Sequence, residues 1–81
     1  MKQDLIKFLG ADWMPDVERI EDSYVTNHPA VEVYPACNLF AHSFLLTLIT
    51  WASNNGYSYY IDALGGCVRM KIYEDVELTQ S

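Results

Sequence analysis

The sequence predicts an α+β domain, a small antiparallel sheet of three to four strands packed on one long apolar helix. One or two short N-terminal helices precede it, giving the order α(α)β(β)αββ. Three observations carry that prediction. Residues 33–61 contain no Asp, Glu, Lys or Arg. A Gly65-Gly66 pair separates two alternating runs. The charged first third holds apolar residues at helical spacing. At 81 residues the chain has room for one domain, 1–81, with one core.

The first element is a short helix. Leu5, Phe8 and Leu9 form a stripe at helical spacing, and Gly10 is expected to end it. A second helix is expected next, with Asp12 as N-cap and Pro15 in its first turn. Trp13, Val17, Ile20 and Tyr24 recur at i, i+4, i+7 and i+11, which places them on one helical face. Asp16, Glu18, Glu21 and Asp22 fall off that stripe and give the helix an acidic outside.

Residues 24–34 turn β-branched and aromatic around Asn27-His28-Pro29. They predict a strand at Val31–Tyr34, with Tyr24–Thr26 as its hairpin partner. Pro29 and Pro35 bracket that strand and point to a short or edge position. Asn38 then caps an expected helix over Leu39–Ala52, which Asn54-Asn55-Gly56 stops. Ser43, Thr47, Thr50 and Asn54 form its one polar stripe, so cover is expected on more than one side. Its apolar run of about 14 residues falls short of the roughly 20 needed to span a bilayer.

The last element is a hairpin whose register the two-residue turn fixes by opposing Leu64 and Cys67. One face then collects Ala63/Val68, Ile61/Met70 and Tyr59/Ile72, all apolar, with Tyr59, Ile61, Met70 and Ile72 expected inward. The other collects Asp62/Arg69, Tyr60/Lys71 and Ser58/Tyr73: a charge pair, a cation–aromatic pair and a polar pair. A slip of one residue would mix the faces.

No motif for chemistry emerges. Cys37, Cys67, His28 and His42 are the soft ligands, and no two have structural-zinc spacing. Cys37 and His42, five apart, do not share a helical face as a nucleophilic pair requires. The cysteines are expected to be buried thiols and His42 a hydrogen-bonded core histidine. Neither Asn54-Asn55-Gly56 nor Gly65-Gly66 matches a phosphate loop. No catalytic residue, metal site or cofactor is expected, and an enzyme is the least favoured class.

Composition is 51% hydrophobic and 20% charged, as in a globular chain. Eleven acids against five bases give a net charge of −6, which repels a phosphate backbone and suits a protein partner with a basic surface. The residues expected at that interface are Tyr60, Asp62 and Tyr73 on the hairpin, Glu74, Asp75 and Glu77 beyond it, and Asp16, Glu18, Glu21 and Asp22. Met1-Lys2-Gln3-Asp4 precedes no export-type apolar segment, so a cytoplasmic location is expected.

In size and charge, though in no motif, the chain resembles small phage-encoded inhibitors of host defence, including anti-CRISPR proteins. Immunity proteins and antitoxins share that profile. The resemblance implies occlusion of a basic, nucleic-acid-binding surface in a host cytoplasm, and no residue roles come with it. The competing expectation is a homo-oligomeric structural or accessory protein, a homodimer for instance, associating through the apolar helix.

Overall fold

A computed structural model describes residues 1–74, the side chain of Leu64 excepted. The order is αββαββ: α1 (Lys2–Trp13), β1 (Val17–Val25), β2 (His28–Pro35), α2 (His42–Asn54), β3 (Tyr57–Leu64) and β4 (Cys67–Glu74). Single 3-10 turns at Met14–Asp16 and Ala36–Asn38 lead into β1 and out of β2. The four strands form one antiparallel sheet in the order β1-β2-β4-β3. A radius of gyration of 12.3 Å agrees with the roughly 12 Å of a single folded domain this size.

Both helices lie on one face of the sheet. Leu5 and Leu9 from α1, and Phe44, Leu48, Trp51 and Ala52 from α2, meet Ile20, Val31, Val33, Met70 and Ile72 in one buried cluster. Trp13 stacks on Phe44 at 5.7 Å between centroids, and Trp51 tilts against Tyr57 at 5.3 Å. Removing a large member such as Leu48 should cost about 2–5 kcal/mol.

The expected acidic helix is instead strand β1. Ile20 and Tyr24 are four apart, a spacing that keeps two residues on one face of a helix or of a strand. Val17 and Ile20 are three apart, which only a helix would allow in regular geometry. Here the register shifts between Val17 and Arg19, so Val17 opposes Pro35 and Ile20 opposes Val33. The bulge returns Val17 to the core side, and a strand thereby imitates a helical stripe. Trp13 joins the same core from the end of α1. Gly10, at φ 61° and ψ −170°, breaks the helical geometry where the sequence expected an end, and helical turns resume after it as far as Trp13.

Strand β2 is interior, not an edge, because its prolines sit outside the contested ladder. Pairing with β4 covers only Ala30–Val33, whereas Pro29 and Pro35 oppose Tyr24 and Val17 of β1. The turn before it is Thr26-Asn27, both at positive φ, one position earlier than Asn27-His28-Pro29.

Helix α2 is shorter than the expected long apolar helix. It has 13 residues, begins at His42 with no side-chain cap, and exposes Ser43, Leu46, Thr50 and Ser53. Leu39–Ala41 stay outside it, because Asn38 is engaged elsewhere. Its amide Nδ2 donates to Gly66 O (2.9 Å) and its Oδ1 accepts from the Val68 N–H (2.6 Å). The C-terminal stop is as expected: Asn55 folds its side chain onto Trp51 O (2.8 Å), and Gly56 takes φ 73°.

The β3–β4 register is the expected one at every pair from Tyr57↔Glu74 to Leu64↔Cys67. Met70 and Ile72 are fully buried, but Tyr59 and Ile61 remain 40% and 45% exposed. The helices cover the centre of the sheet and leave the outer half of β3 uncovered. His42 is exposed, as are both cysteines, which are free thiols.

Candidate interaction face

The sheet face away from the helices carries the polar half of every strand. Alternation puts Arg19, Glu21 and Ser23 of β1 beside Tyr34 and Glu32 of β2, then Arg69, Lys71 and Tyr73 of β4, then Asp62 and Tyr60 of β3. Among the described residues no helix lies over it.

Glu32 is the centre of this face. Its Oε2 accepts from Ser23 Oγ (2.9 Å) and Arg69 Nη1 (2.8 Å), with Lys71 Nζ at 3.3 Å, and its Oε1 accepts from Tyr34 OH (2.8 Å). Burial alone would raise its carboxyl, but the hydrogen bonds from Tyr34, Ser23 and Lys71, with the charge of Arg69, outweigh burial and hold it below the ordinary range. Arg69 also grips Asp62 through two nitrogens, Nε–Oδ1 at 2.8 Å and Nη2–Oδ2 at 3.2 Å. That fork lowers the Asp62 carboxyl and raises the guanidinium. No described buried side-chain polar atom lacks a partner.

Tyrosines flank the network. Tyr60 and Tyr73 meet with centroids 6.0 Å apart, tilted by 58°. Lys71, expected to pair with Tyr60, turns to Glu32 instead. On the far side Arg19 lies 3.9 Å over the Tyr34 ring while its Nε holds Glu21 at 2.6 Å.

The expected interface residues are therefore divided. Tyr60, Asp62, Tyr73 and Glu21 share this face. Asp62 is consumed by Arg69 and Glu21 by Arg19, so neither is a free carboxylate. Glu18 and Asp22 lie exposed along the β1 edge, with Asp16 just before it. Glu74 closes the helix-side end of β4 opposite Tyr57. Asp75 and Glu77 lie outside the described residues. Sequence reasoning missed Glu32, Ser23 and Tyr34. The signal available was a lone acid between Val31 and Val33, whose partners are fixed only by strand order.

A cleft of about 160 Å³ opens at one end of the sheet, lined by Glu18, Tyr34, Pro35, Asn38, Cys67 and Val68. Sites for drug-sized ligands are larger, about 300–1,000 Å³. Among the described residues no three of His, Cys, Asp and Glu group as metal ligands, and no helix is long and apolar enough to cross a membrane. Comparison of the chain with protein-family models, with curated proteins and with solved structures gives no match.

Proposed function

We propose that this protein works by binding another protein through the open sheet face, occluding a basic surface of its partner. The observation that supports this reading is the one-sided sheet. Both helices sit on one face, and the other presents paired tyrosines around an internally satisfied charge network. Such a network keeps a flat face rigid without leaving buried charges unpaired. Tyr60, Tyr73 and Tyr34 supply rigid contact area with hydroxyls for polar contacts. The acids that attract a basic partner are the unpaired ones at β1, Asp22 and, just before the strand, Asp16, since Glu18 and Glu21 are held by Arg19 and Asp62 and Glu32 are already neutralised. An inhibitor of host defence, an immunity protein and an antitoxin all fit this mechanism.

The test is affinity capture with three baits: the native chain, Tyr60→Ala/Tyr73→Ala, and Leu46→Ser on the exposed side of α2. A partner held by the native and Leu46 baits and lost by the tyrosine bait supports the face. A partner lost only by the Leu46 bait moves the interface to the helix.

A further inference from the structure

The two edges of the sheet are built differently. Strand β1 carries a bulge and the charges Glu18, Arg19, Glu21 and Asp22, features that discourage pairing with another strand. Strand β3, Tyr57–Leu64, has no proline, no lysine and no bulge, and keeps an unbroken register to β4. Its middle residues Tyr59, Tyr60 and Ile61 are all substantially exposed. Its one charge, Asp62, is already bound by Arg69.

The direction of its backbone groups follows from the turn. Gly65 and Gly66, both at positive φ, make a two-residue hairpin, in which the flanking pair Leu64/Cys67 is of the hydrogen-bonded kind. Alternation then turns the amides and carbonyls of Asp62, Tyr60 and Ser58 toward β4. Those of Tyr57, Tyr59, Ile61 and Ala63 point out from the open edge.

We infer that β3 pairs antiparallel with β3 of a second copy about a two-fold axis at Tyr60. That register opposes Tyr59 to the partner's Ile61 and Tyr57 to the partner's Ala63, in both directions. Every outward backbone group then has a partner, for about eight hydrogen bonds. Sliding either way by one allowed step, which moves each opposed pair by two residues, leaves outward groups at one end unpaired. Sliding further toward the turn opposes Asp62 to itself, a like-charge pair. At the two-fold, Tyr60 meets the partner's Tyr60 on the open face. Tyr59 and Ile61, left half-covered by the helices, are buried on the other. Within β3 the one acid, Asp62, is held by Arg69, so no unpaired charge of this strand opposes the contact. The inference does not depend on what the open face binds.

Light scattering on the native chain at high micromolar concentration should give twice the monomer mass. Ile61→Lys should weaken the dimer roughly tenfold or more while leaving the circular dichroism spectrum unchanged. In a Cys37→Ser/Cys67→Ser background, Tyr60→Cys should form an intermolecular disulfide, because opposed non-hydrogen-bonded residues sit about 4.5 Å apart at Cα. Asp62→Cys, displaced from its own copy by roughly 13 Å, should not. A monomer at that concentration overturns the inference. A dimer that survives Ile61→Lys and fails to cross-link at Tyr60 also overturns it, and places the contact on another surface.

Discussion

Arg69 and Glu32 join β4 to β2 at 2.8 Å, while the same guanidinium holds Asp62 of β3, so one side chain ties three adjacent strands. Arg69 and Glu32 are only 13% and 12% exposed at the side chain, on a face no described helix covers. Neighbouring side chains alone shield them. Arg69→Met should therefore leave Glu32 poorly compensated, with Ser23, Tyr34 and Lys71 as its remaining partners. A loss of about 1–3 kcal/mol is expected in urea unfolding. Glu32→Gln in the Arg69→Met background should recover part of it, because the orphaned charge is gone. Additive losses in that cycle would mean the two groups are not coupled.

The same network sets the acid limit of stability. Glu32 and Asp62 both have carboxyls held below their ordinary values in the folded state. A carboxylate so held stabilises the fold fully above its unfolded value, about 4, and loses that contribution as pH falls through the folded value. Melting temperature should be nearly level from neutral pH down to about 5 and fall below about 4. Glu32→Gln should start lower and show a shallower acid limb. An identical limb in the variant would assign the acid loss to other carboxylates.

How much of this was legible in the residues depended on whether the determining contact was local. The β3–β4 hairpin was, since Gly65-Gly66 and strict alternation fix each pair without reference to the rest of the chain. Strand β1 was not. The bulge before Arg19 restored Val17 to the core side, and a stripe of Val17, Ile20 and Tyr24 cannot reveal a bulge. Nor could Asn38 be read as a clamp rather than a cap, because its partners Gly66 and Val68 lie 28 and 30 residues away. The Glu32 network failed to appear for the same reason: it exists only once β4 inserts between β2 and β3.

The Asn38 clamp can be separated from its backbone. Cys37 and Asn38 both hold positive φ, 58° and 54°, a region Asn tolerates better than Ala. Asn38→Gly keeps the conformation and removes both side-chain bonds, so its cost, about 0.5–2 kcal/mol at this exposed site, measures the clamp. Asn38→Ala should cost more, by the added left-handed strain. Equal values in thermal melts would show that the backbone there relaxes.

Exposure of Cys37 and Cys67, against the expectation of buried thiols, has a direct readout. Both should titrate with a chromogenic disulfide reagent in the native protein, as fast as in urea to within about tenfold. Protection of either thiol until unfolding would contradict its placement.

The last prediction separates attraction from grip on the open face. Charges at the rim of an interface chiefly set the association rate and are screened by salt, whereas buried aromatic anchors set dissociation. The unpaired acids Asp16 and Asp22 lie at the β1 edge, where Glu18 is held by Arg19, and the Tyr60–Tyr73 pair sits at the opposite side of the face. Against a captured partner, Asp16→Lys/Asp22→Lys should slow association and flatten its salt dependence, with dissociation almost unchanged. Tyr73→Ala should speed dissociation, at a cost of about 1–3 kcal/mol if the pair anchors the complex. Tyr73 is the cleaner choice, because Tyr60 lies on the β3 edge and would also disturb a dimer formed there. Surface plasmon resonance at two salt concentrations reads both rates. Slower association on its own, with Tyr73→Ala silent, would leave an electrostatic encounter with no anchor on this face. No change in either rate would remove the open face as the interface and turn attention to the exposed side of α2, where Leu46 stands among Ser43, Thr50 and Ser53.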